Sequence, residues 1–393
     1  MRAWDIWDLP FFAPSHRDLA SRLKEWQAQS QDEGEGGSPY FARECRSFAR
    51  EMAEWGFLDY VVPAPGRAAS QRLDVRAICL IREALAYKSA LVDSVFIIQG
   101  LATAPLWQAG TERQRQDYLD PCRRGERIPA FALTEPDAGS DVAAVATTAT
   151  ADGDHYVLNG AKTWITNAGA ADFYVVVART GEAPGARGLS MFIVDADVPG
   201  LTVTSPLRLV ADHPIAGLQI EDCRVPKTNM IGSAGAGFKA AMATFDVFRP
   251  SVGAAAVGMA RRALAETLER VEARRMFGHR MAELETIQSR IADMVLDLES
   301  AALLVYRAAW AKDTREGRLS RESALAKLGA TEAAQRVIDS AVQLFGGLGV
   351  ARGSVVERLY RDIRPMRIYE GASEVQKLVI ARNTMSTKAA KSV

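Results

Sequence analysis

Apolar positions between residues 41 and 55 fall at one spacing. Phe41, Cys45, Phe48, Met52 and Trp55 recur at steps of four and three, the stripe of a single helix face. Ser38-Pro39 supplies a cap and first turn for that helix, and Gly56 ends it. The polar run QAQSQDEGEGGSPY before it reads as a solvated loop, and VVPAPGRAAS after it as a connection. From Ala84 to Trp107 the polar face disappears. Only Lys88 and Asp93 are charged there, which predicts a helical segment buried on most sides. Between about 129 and 231 the period shortens to that of strands. The runs HYVLNG, FYVVVAR, LSMFIVD, LTVT and GLQIED, separated by Asn-Gly and Pro-Gly punctuation, predict an antiparallel barrel or sandwich. After IGSAGAGF the helical period returns. Ile287, Ile291, Met294, Leu298, Ala301, Val305 and Ala308 mark one long helix, and Leu325, Leu328, Ile338, Ala341 and Phe345 another; such helices pack as a bundle.

The chain therefore reads as an α+β multidomain protein, mostly α. An N-terminal helical domain covers 1–128, a middle antiparallel β-barrel-like domain 129–232, and a C-terminal helical bundle 233–393. The last residues, TKAAKSV, read as a frayed tail.

Composition narrows the function. Lys and Arg number 48, as do Asp and Glu, so no net field draws in nucleic acid or an acidic membrane, and no local basic patch replaces it. No apolar run reaches the roughly 18 uninterrupted residues of a membrane span. The start, MRAWDIWDLPFF, lacks the marks of a secretory signal or a transit peptide, so the expected location is cytoplasmic. Cys45, Cys79, Cys122 and Cys223 are far apart and read as buried thiols in a reducing compartment. His16, His155, His213 and His279 share no metal-ligand spacing; no metal site is expected, and each reads as a surface or loop residue. GSAGAGF at 232–238 lacks the third glycine and the βαβ setting of a dinucleotide fold, and no P-loop occurs.

Two segments of the β region carry candidate chemistry, FALTEPDAGSDV at 131–142 and LNGAKTWITNAG at 158–169. Each sets hydroxyls and small residues near an aromatic, as recognition of a flat polar ring requires. Together with EARRMFGHR, QLFGGLG and RIYEGASEVQ they resemble, in order and spacing, the signature segments of the acyl-CoA dehydrogenase family, from about residue 38 to 383. The resemblance implies a helical domain, a β-barrel-like domain and a C-terminal four-helix bundle in a homotetramer binding FAD. It implies that Phe131, Leu133 and Thr134 meet the pyrimidine side of the isoalloxazine, that Trp164 covers the ring, and that the Thr166 hydroxyl bonds near N5. It assigns Arg274, Phe277, Gln343 and Gly347 to the ADP half of a neighbouring subunit's cofactor, and Ala372, Ser373 and Glu374 to further cofactor contacts. On the residues alone, Arg274 also reads as a helix-surface charge, Phe277 as core, and Gly346-Gly347 as a helix cap.

By the same resemblance Glu370 is the base that takes the α-proton of an acyl-CoA while the β-hydride passes to flavin N5. Its own N–H and a ribityl hydroxyl meet the thioester oxygen, with Gly371 keeping the backbone clear. On residues alone a helix-end acid reads as a cap or ion-pair partner. Some relatives carry the base one residue before an arginine in the C-terminal domain; here that residue is Phe248, before Arg249, which leaves Glu370. Asp246 and Arg249 map near the CoA chain, Ser140 to the opposite wall, and Tyr369 to the pocket wall, although Arg249 equally suits a structural ion pair. The implied electron acceptor is an electron-transfer flavoprotein. Three departures stand out. Ala372 replaces a common threonine, VADHPIAGLQIED lacks the usual Ser/Thr form, and LVDSVFIIQG holds no arginine for a second substrate carboxylate, leaving only Asp93 and Gln99 as polarity. A short branched or alicyclic acyl group is the expected substrate. The rival readings are a flavin oxidase or monooxygenase, an enzyme of carrier-protein thioesters, and a non-catalytic helical scaffold.

Overall fold

The protein is described from a computed structural model covering residues 9–30, 39–68 and 70–389. Two compact units make up the chain. The first unit comprises Met1–Glu33, Asp74–Asp93 and Asp246–Val393, and the second Gly34–Leu73 and Ser94–Phe245.

The N-terminal third is helical: α1 (Pro14–Gln29), α2 (Ala42–Glu54), α3 (Val75–Lys88) and α4 (Ala90–Ala109). In α2 the expected stripe buries Cys45 and Met52, joined by Ala49, and the helix stops just before Gly56, whose φ of +68° an L side chain resists. The proposed cap at Ser38 lies outside the described residues; α2 is entered through a tight turn over Pro39–Phe41. The single apolar segment expected from Ala84 to Trp107 is two helices. Ser89 breaks it in an extended conformation, and its Oγ accepts from the N–H groups of Leu91 and Val92 at 3.1 Å, so one small residue caps a new helix inside an apolar run. By length and composition α4 is apolar enough to cross a bilayer, but 83% of its most apolar window is buried inside the protein, as in a core helix.

The second unit is built on a mixed sheet of strands β1 (Pro129–Ala132), β2 (Thr148–Asp152), β3 (His155–Thr166), β4 (Phe173–Arg179), β5 (Leu189–Asp195), β6 (Leu201–Val203), β7 (Ile215–Pro226) and β8 (Met230–Ile231). The path runs β6-β7-β3-β2-β4-β5-β8 and is mainly antiparallel, as the hairpin punctuation predicts, but β1 pairs with β4 in parallel. Tyr174, Val176, Phe192, Val194, Leu218 and Ile220 fill one core. Two register shifts interrupt the β3–β7 pairing, between Leu158 and Gly160 and between Lys162 and Ile165. The second is where Trp164 takes φ +58°, a bulge that re-aims an aromatic out of the ladder.

The first unit is helical. Its elements are α1, α3, α5 (which begins in the other unit; Gly237–Ala273), α6 (Glu285–Thr314), α7 (Ser320–Phe345), α8 (Val355–Met366) and α9 (Ser373–Ala389), with a short ribbon at Arg275–Met276 and His279–Arg280. The predicted stripe of α6 buries Met294, Leu298, Ala301, Val305 and Ala308 against α7, and α7 in turn carries α8 and α9. The buried face of α7 is made mainly of alanines, with Ala324, Ala326, Ala330, Ala334 and Ala341 enclosed, so the helices approach closely. The start of α3 is fixed twice, by Asp74 accepting from Ala77 N–H at 3.0 Å and by Asp313 accepting from Val75 N–H at 2.8 Å.

Where α5 crosses α3, Gly258 meets the backbone of Glu83, and a Cβ there would stand 2.1 Å from the Glu83 carbonyl oxygen. Backbone cannot yield as a flexible side chain can. Gly258→Ala is therefore expected to destabilise the protein by about 1–3 kcal/mol, the usual cost of overpacking, seen as a lower melting temperature in a thermal scan. An unchanged melt would show that the two helices separate freely.

Candidate active site

In the first unit, Glu370 lies in the short turn that joins α8 to α9. Pro365 O accepts from the N–H groups of Ile368 and Tyr369 at 2.8 and 3.1 Å, closing α8, and Ser373 N–H reaches back to Arg367 O at 3.1 Å to open α9. Between these bonds the chain must reverse within few residues. Glu370 does so at φ +50°, a left-handed conformation that costs a non-glycine residue about 1–3 kcal/mol, and Gly371 follows at φ +94°. A strained acid persists only where its surroundings fix it.

Those surroundings converge on one carbonyl. Gly371 O accepts from the Lys327 ammonium at 2.9 Å and from the Gln376 amide at 3.0 Å. Lys327 is fully buried on α7, where burial pushes its ammonium down to about 8 while the Glu370 carboxylate pulls the other way. The Ser373 hydroxyl donates to Glu332 at 2.6 Å, and Glu332 also accepts from Arg367 at 2.9 Å. Ser373 is thus a buried brace of the turn, whereas Glu374 beside it is exposed and Ala372 half-buried.

Glu370 keeps partial accessibility, but its Oε2 is enclosed and has no hydrogen-bond partner among the described residues. Burial raises its pKa above the ordinary carboxylate value, against the opposing pull of Arg82, Arg249 and Lys327. Arg82 is held on both edges. Its Nε and Nη2 donate to Asp93 at 2.8 and 2.6 Å, and its Nη1 to the Ser251 Oγ at 3.1 Å. The pair is buried and neutral in sum, so it offers Glu370 a fixed dipole more than a net charge. Burial pushes the Tyr369 phenol up beside Arg82. Asp246 and Arg249 face each other one helical turn apart at 3.4 Å, with the Arg249 Nε enclosed and unpaired among the described residues, while Phe248 is fully buried.

In the second unit, Phe131 and Leu133 are buried and Thr134 half-buried. Lys162 anchors their segment from behind. Its ammonium donates to Leu133 O at 3.1 Å and pairs with Glu135 at 2.7 Å, and Glu135 also accepts from the N–H groups of Ala146 and Thr147 at 2.7 and 2.9 Å. Burial pushes Lys162 down to about 8; it would push Glu135 up, but Lys162 and the amide donors hold that acid below its usual value. Trp164 is 55% exposed at its bulge, an aromatic with an open face, and the Thr166 hydroxyl sits at the end of β3. Ser140 is exposed on the loop after β1. A large uncovered aromatic held in a strained backbone, beside main-chain groups pinned by a buried ion pair, fits a planar polar ring.

The residues assigned to the ADP half are all exposed in the first unit. Phe277, 83% accessible at φ +53°, turns the short ribbon beside Arg274, and Gln343 and Gly347 lie at the end of α7. Arg270 lies over the Phe345 ring at 5.8 Å, which joins the ends of α5 and α7. A surface cleft lined by Asp297, Arg336, Asp339, Tyr360 and Arg364 reaches Arg367, at the base of the turn, but not Glu370.

Motif spacing missed several of these partners. Lys162 and Glu135 lie inside the quoted segments, Lys162 as the lone charge of its segment and Glu135 as one of three acids in its own. Gln376 closes the quoted segment RIYEGASEVQ, whereas Lys327, Arg82 and Glu332 carry no local signal. The surface-or-loop reading of the histidines fails at His16, which is buried in α1 and bonds Asp74 at 3.0 Å; His213 does lie in a loop, half-buried, where it bonds Thr166 at 3.0 Å. Among the described residues no group of acids, histidines and cysteines suits a metal ion, and all four cysteines are buried free thiols.

Lys327→Met removes a cation that favours the Glu370 carboxylate, so the Glu370 carboxyl is expected to titrate at still higher pH. Difference infrared spectra of the carboxyl band against pH, assigned with Glu370→Gln, read this directly. A titration identical to that of the unmodified protein would show that Lys327 does not act on Glu370.

Residues 16–126, 130–223 and 235–385 match, in turn, the N-terminal, middle and C-terminal domains of acyl-CoA dehydrogenase. The mitochondrial short-chain specific acyl-CoA dehydrogenase of Rattus norvegicus is 40% identical over 339 residues, spanning 85% of this chain and 81% of that protein. The structure of butyryl-CoA dehydrogenase from Megasphaera elsdenii superposes with a TM-score of 0.84 at 32% identity, over 95% of this chain and 99% of that one. A chain solved in work on the electron transferring flavoprotein of Acidaminococcus fermentans gives a TM-score of 0.84 at 34% identity, over 95% and 98% of the two chains. With the domains in order and the likeness running over nearly the whole length, the chain belongs to the acyl-CoA dehydrogenase family of FAD-dependent oxidoreductases acting on acyl-CoA.

Proposed function

We propose that this protein converts a short acyl-CoA to its trans-2-enoyl-CoA, with Glu370 as the base. The observation that carries the assignment is Glu370 itself, an acid kept in a left-handed turn with an enclosed, unpartnered Oε2 and a raised pKa. An acid spends that much strain and desolvation where a proton must be received. FAD, when bound, supplies the acceptor for the β-hydride.

The chain's own residues supply the rest. Glu370 Oε2 takes the α-proton, and the raised pKa brings the carboxylate's basicity closer to the task. No backbone acceptor pairs with the Glu370 N–H among the described residues, so it is open to the thioester oxygen. Phe131, Leu133, Thr134, Trp164 and Thr166 would hold the isoalloxazine. Arg274, Phe277, Gln343 and Gly347, exposed on one chain, would meet the ADP half of a second subunit's cofactor, which supports a homotetramer. Ser140, Asp246, Arg249, Tyr369 and Gly371 would line the acyl-CoA path. Ala372 and Glu374 would border the cofactor, with Ser373 acting through the turn it braces.

The division at 128 and 232, a cytoplasmic location and an electron-transfer flavoprotein as acceptor belong to the same proposal. The free buried thiols support the location, and the neighbour solved in work on an electron transferring flavoprotein supports the acceptor. A short acyl group is favoured by the short-chain and butyryl-CoA relatives, and the pairing of Arg82 with Asp93 leaves it no free guanidinium for a second carboxylate.

Glu370→Gln is expected to keep FAD and bind acyl-CoA while slowing flavin reduction by at least the ~10²–10⁴-fold typical of a lost general base, measured by stopped-flow without oxygen. Near-normal reduction in that variant would remove Glu370 from the chemistry. In the unmodified protein Glu370 works ionised, so the rate should fall as the pH drops through its raised pKa. A rate that held level down to the ordinary carboxylate range would contradict the desolvated base.

A further inference from the structure

The loop before β7 departs from the family's Ser/Thr-bearing form, and it places His213 beside the residue that the proposed function turns toward the flavin. Pro214 O accepts from Asn167 N–H at 2.6 Å, which pins the loop against the end of β3. From there the His213 Nε2 lies 3.0 Å from Thr166 Oγ1, and its Nδ1 lies 3.4 Å from Ser94 Oγ. The three side chains form one line, Ser94, His213, Thr166, ending at the hydroxyl on the strand end.

Burial alone acts on the imidazole, pushing its pKa down to about 4, so the ring is neutral in ordinary working conditions. A neutral imidazole has one donor nitrogen and one acceptor. Its tautomer therefore decides which way the Thr166 hydroxyl points. With the proton on Nε2, His213 donates to Thr166 Oγ1 and Ser94 donates to Nδ1, leaving the Thr166 hydrogen free to point outward. With the proton on Nδ1, Thr166 must spend its hydrogen on the ring. A flavin N5 in the oxidised state is an acceptor and needs a donor.

We propose that His213 is a positioning residue of the Nε2–H tautomer that, backed by Ser94, holds the Thr166 hydroxyl as an outward hydrogen-bond donor to the flavin. The inference rests on the FAD reading above and adds to it a residue that tunes how readily the cofactor accepts electrons. Linear donor chains of this kind strengthen their terminal bond, since each bond polarises the next.

The test uses the purified full-length protein with its FAD. One lost hydrogen bond of about 1.4 kcal/mol is a tenfold effect. A donor at N5 favours the oxidised ring, whose N5 accepts, over the reduced ring, whose N5 carries a hydrogen. His213→Leu is therefore expected to favour two-electron reduction about tenfold, a shift of about 30 mV to more positive potential. It should also change the vibronic structure of the flavin's visible spectrum. His213→Gln returns an N–H donor near the Nε2 position and should recover most of the shift. Thr166→Val should reproduce the loss, and adding His213→Leu to it should add nothing. An unchanged potential and spectrum in His213→Leu, or an undiminished further shift in the Thr166→Val background, would overturn the proposal. Nitrogen-15 NMR of labelled histidine, with His213→Gln identifying the signal, reads the tautomer without reference to activity. An Nε2–H ring is required, and an Nδ1–H ring overturns the proposal even if His213→Leu and Thr166→Val cannot be purified. Purification without flavin would defeat the functional reading instead, and the tautomer would still decide this one.

Discussion

The Gly371 carbonyl is the point on which the proposed catalytic acid depends. Lys327 and Gln376 donate to that one oxygen from α7 and α9, and they hold a turn that the backbone alone would not choose. Ser373 and Arg367, both bonded to Glu332, brace the same turn from α7. The strain at Glu370 is thus offset by hydrogen bonds to its neighbours, which leaves the carboxylate Oε2 without a hydrogen-bond partner among the described residues. An acid satisfied by its own bonds would be a poor base; this one is fixed in position and unsatisfied in charge.

Electrostatics follow from the same arrangement. Taking Glu370 out of water raises its pKa, and the charges of Arg82, Arg249 and Lys327 oppose the rise. Arg82 is spent on Asp93 and Ser251, Arg249 faces Asp246, and Lys327 is spent on a carbonyl. Each positive group is therefore near enough to moderate the acid while holding a partner of its own. The second unit uses a parallel device, where Lys162 and Glu135 form a buried pair whose purpose is to fix the main chain of Leu133 and its neighbours.

Much of this was legible in the sequence. Helical and strand periods gave the order of elements, and the quoted segments pointed to Glu370, Trp164 and Thr166 as candidates, because both kinds of signal are local. Ser89 was missed since a single small residue inside an apolar run breaks no period, although it caps α4. The parallel pairing of β1 with β4 was missed because strand patterns carry no direction. Lys327 reads as one more helix lysine, and nothing in LAKLG says that Gly371, forty-odd residues on, accepts from it. Arg82 and Asp93 lie on different helices across the Ser89 break. His213 is a loop residue, as expected, but its bonding was not legible because its partners, Thr166 and Ser94, come from a distant strand end and a distant helix.

The central claim is that a desolvated Glu370 serves an FAD-dependent dehydrogenation of acyl-CoA. Anaerobic mixing of the purified flavoprotein with a panel of saturated acyl-CoA esters tests it most directly, with the flavin band followed in time and the product identified by mass. The account predicts rapid bleaching with short acyl groups and a product two hydrogens lighter, the trans-2-enoyl-CoA. A flavin that stays oxidised with every ester in the panel would contradict it.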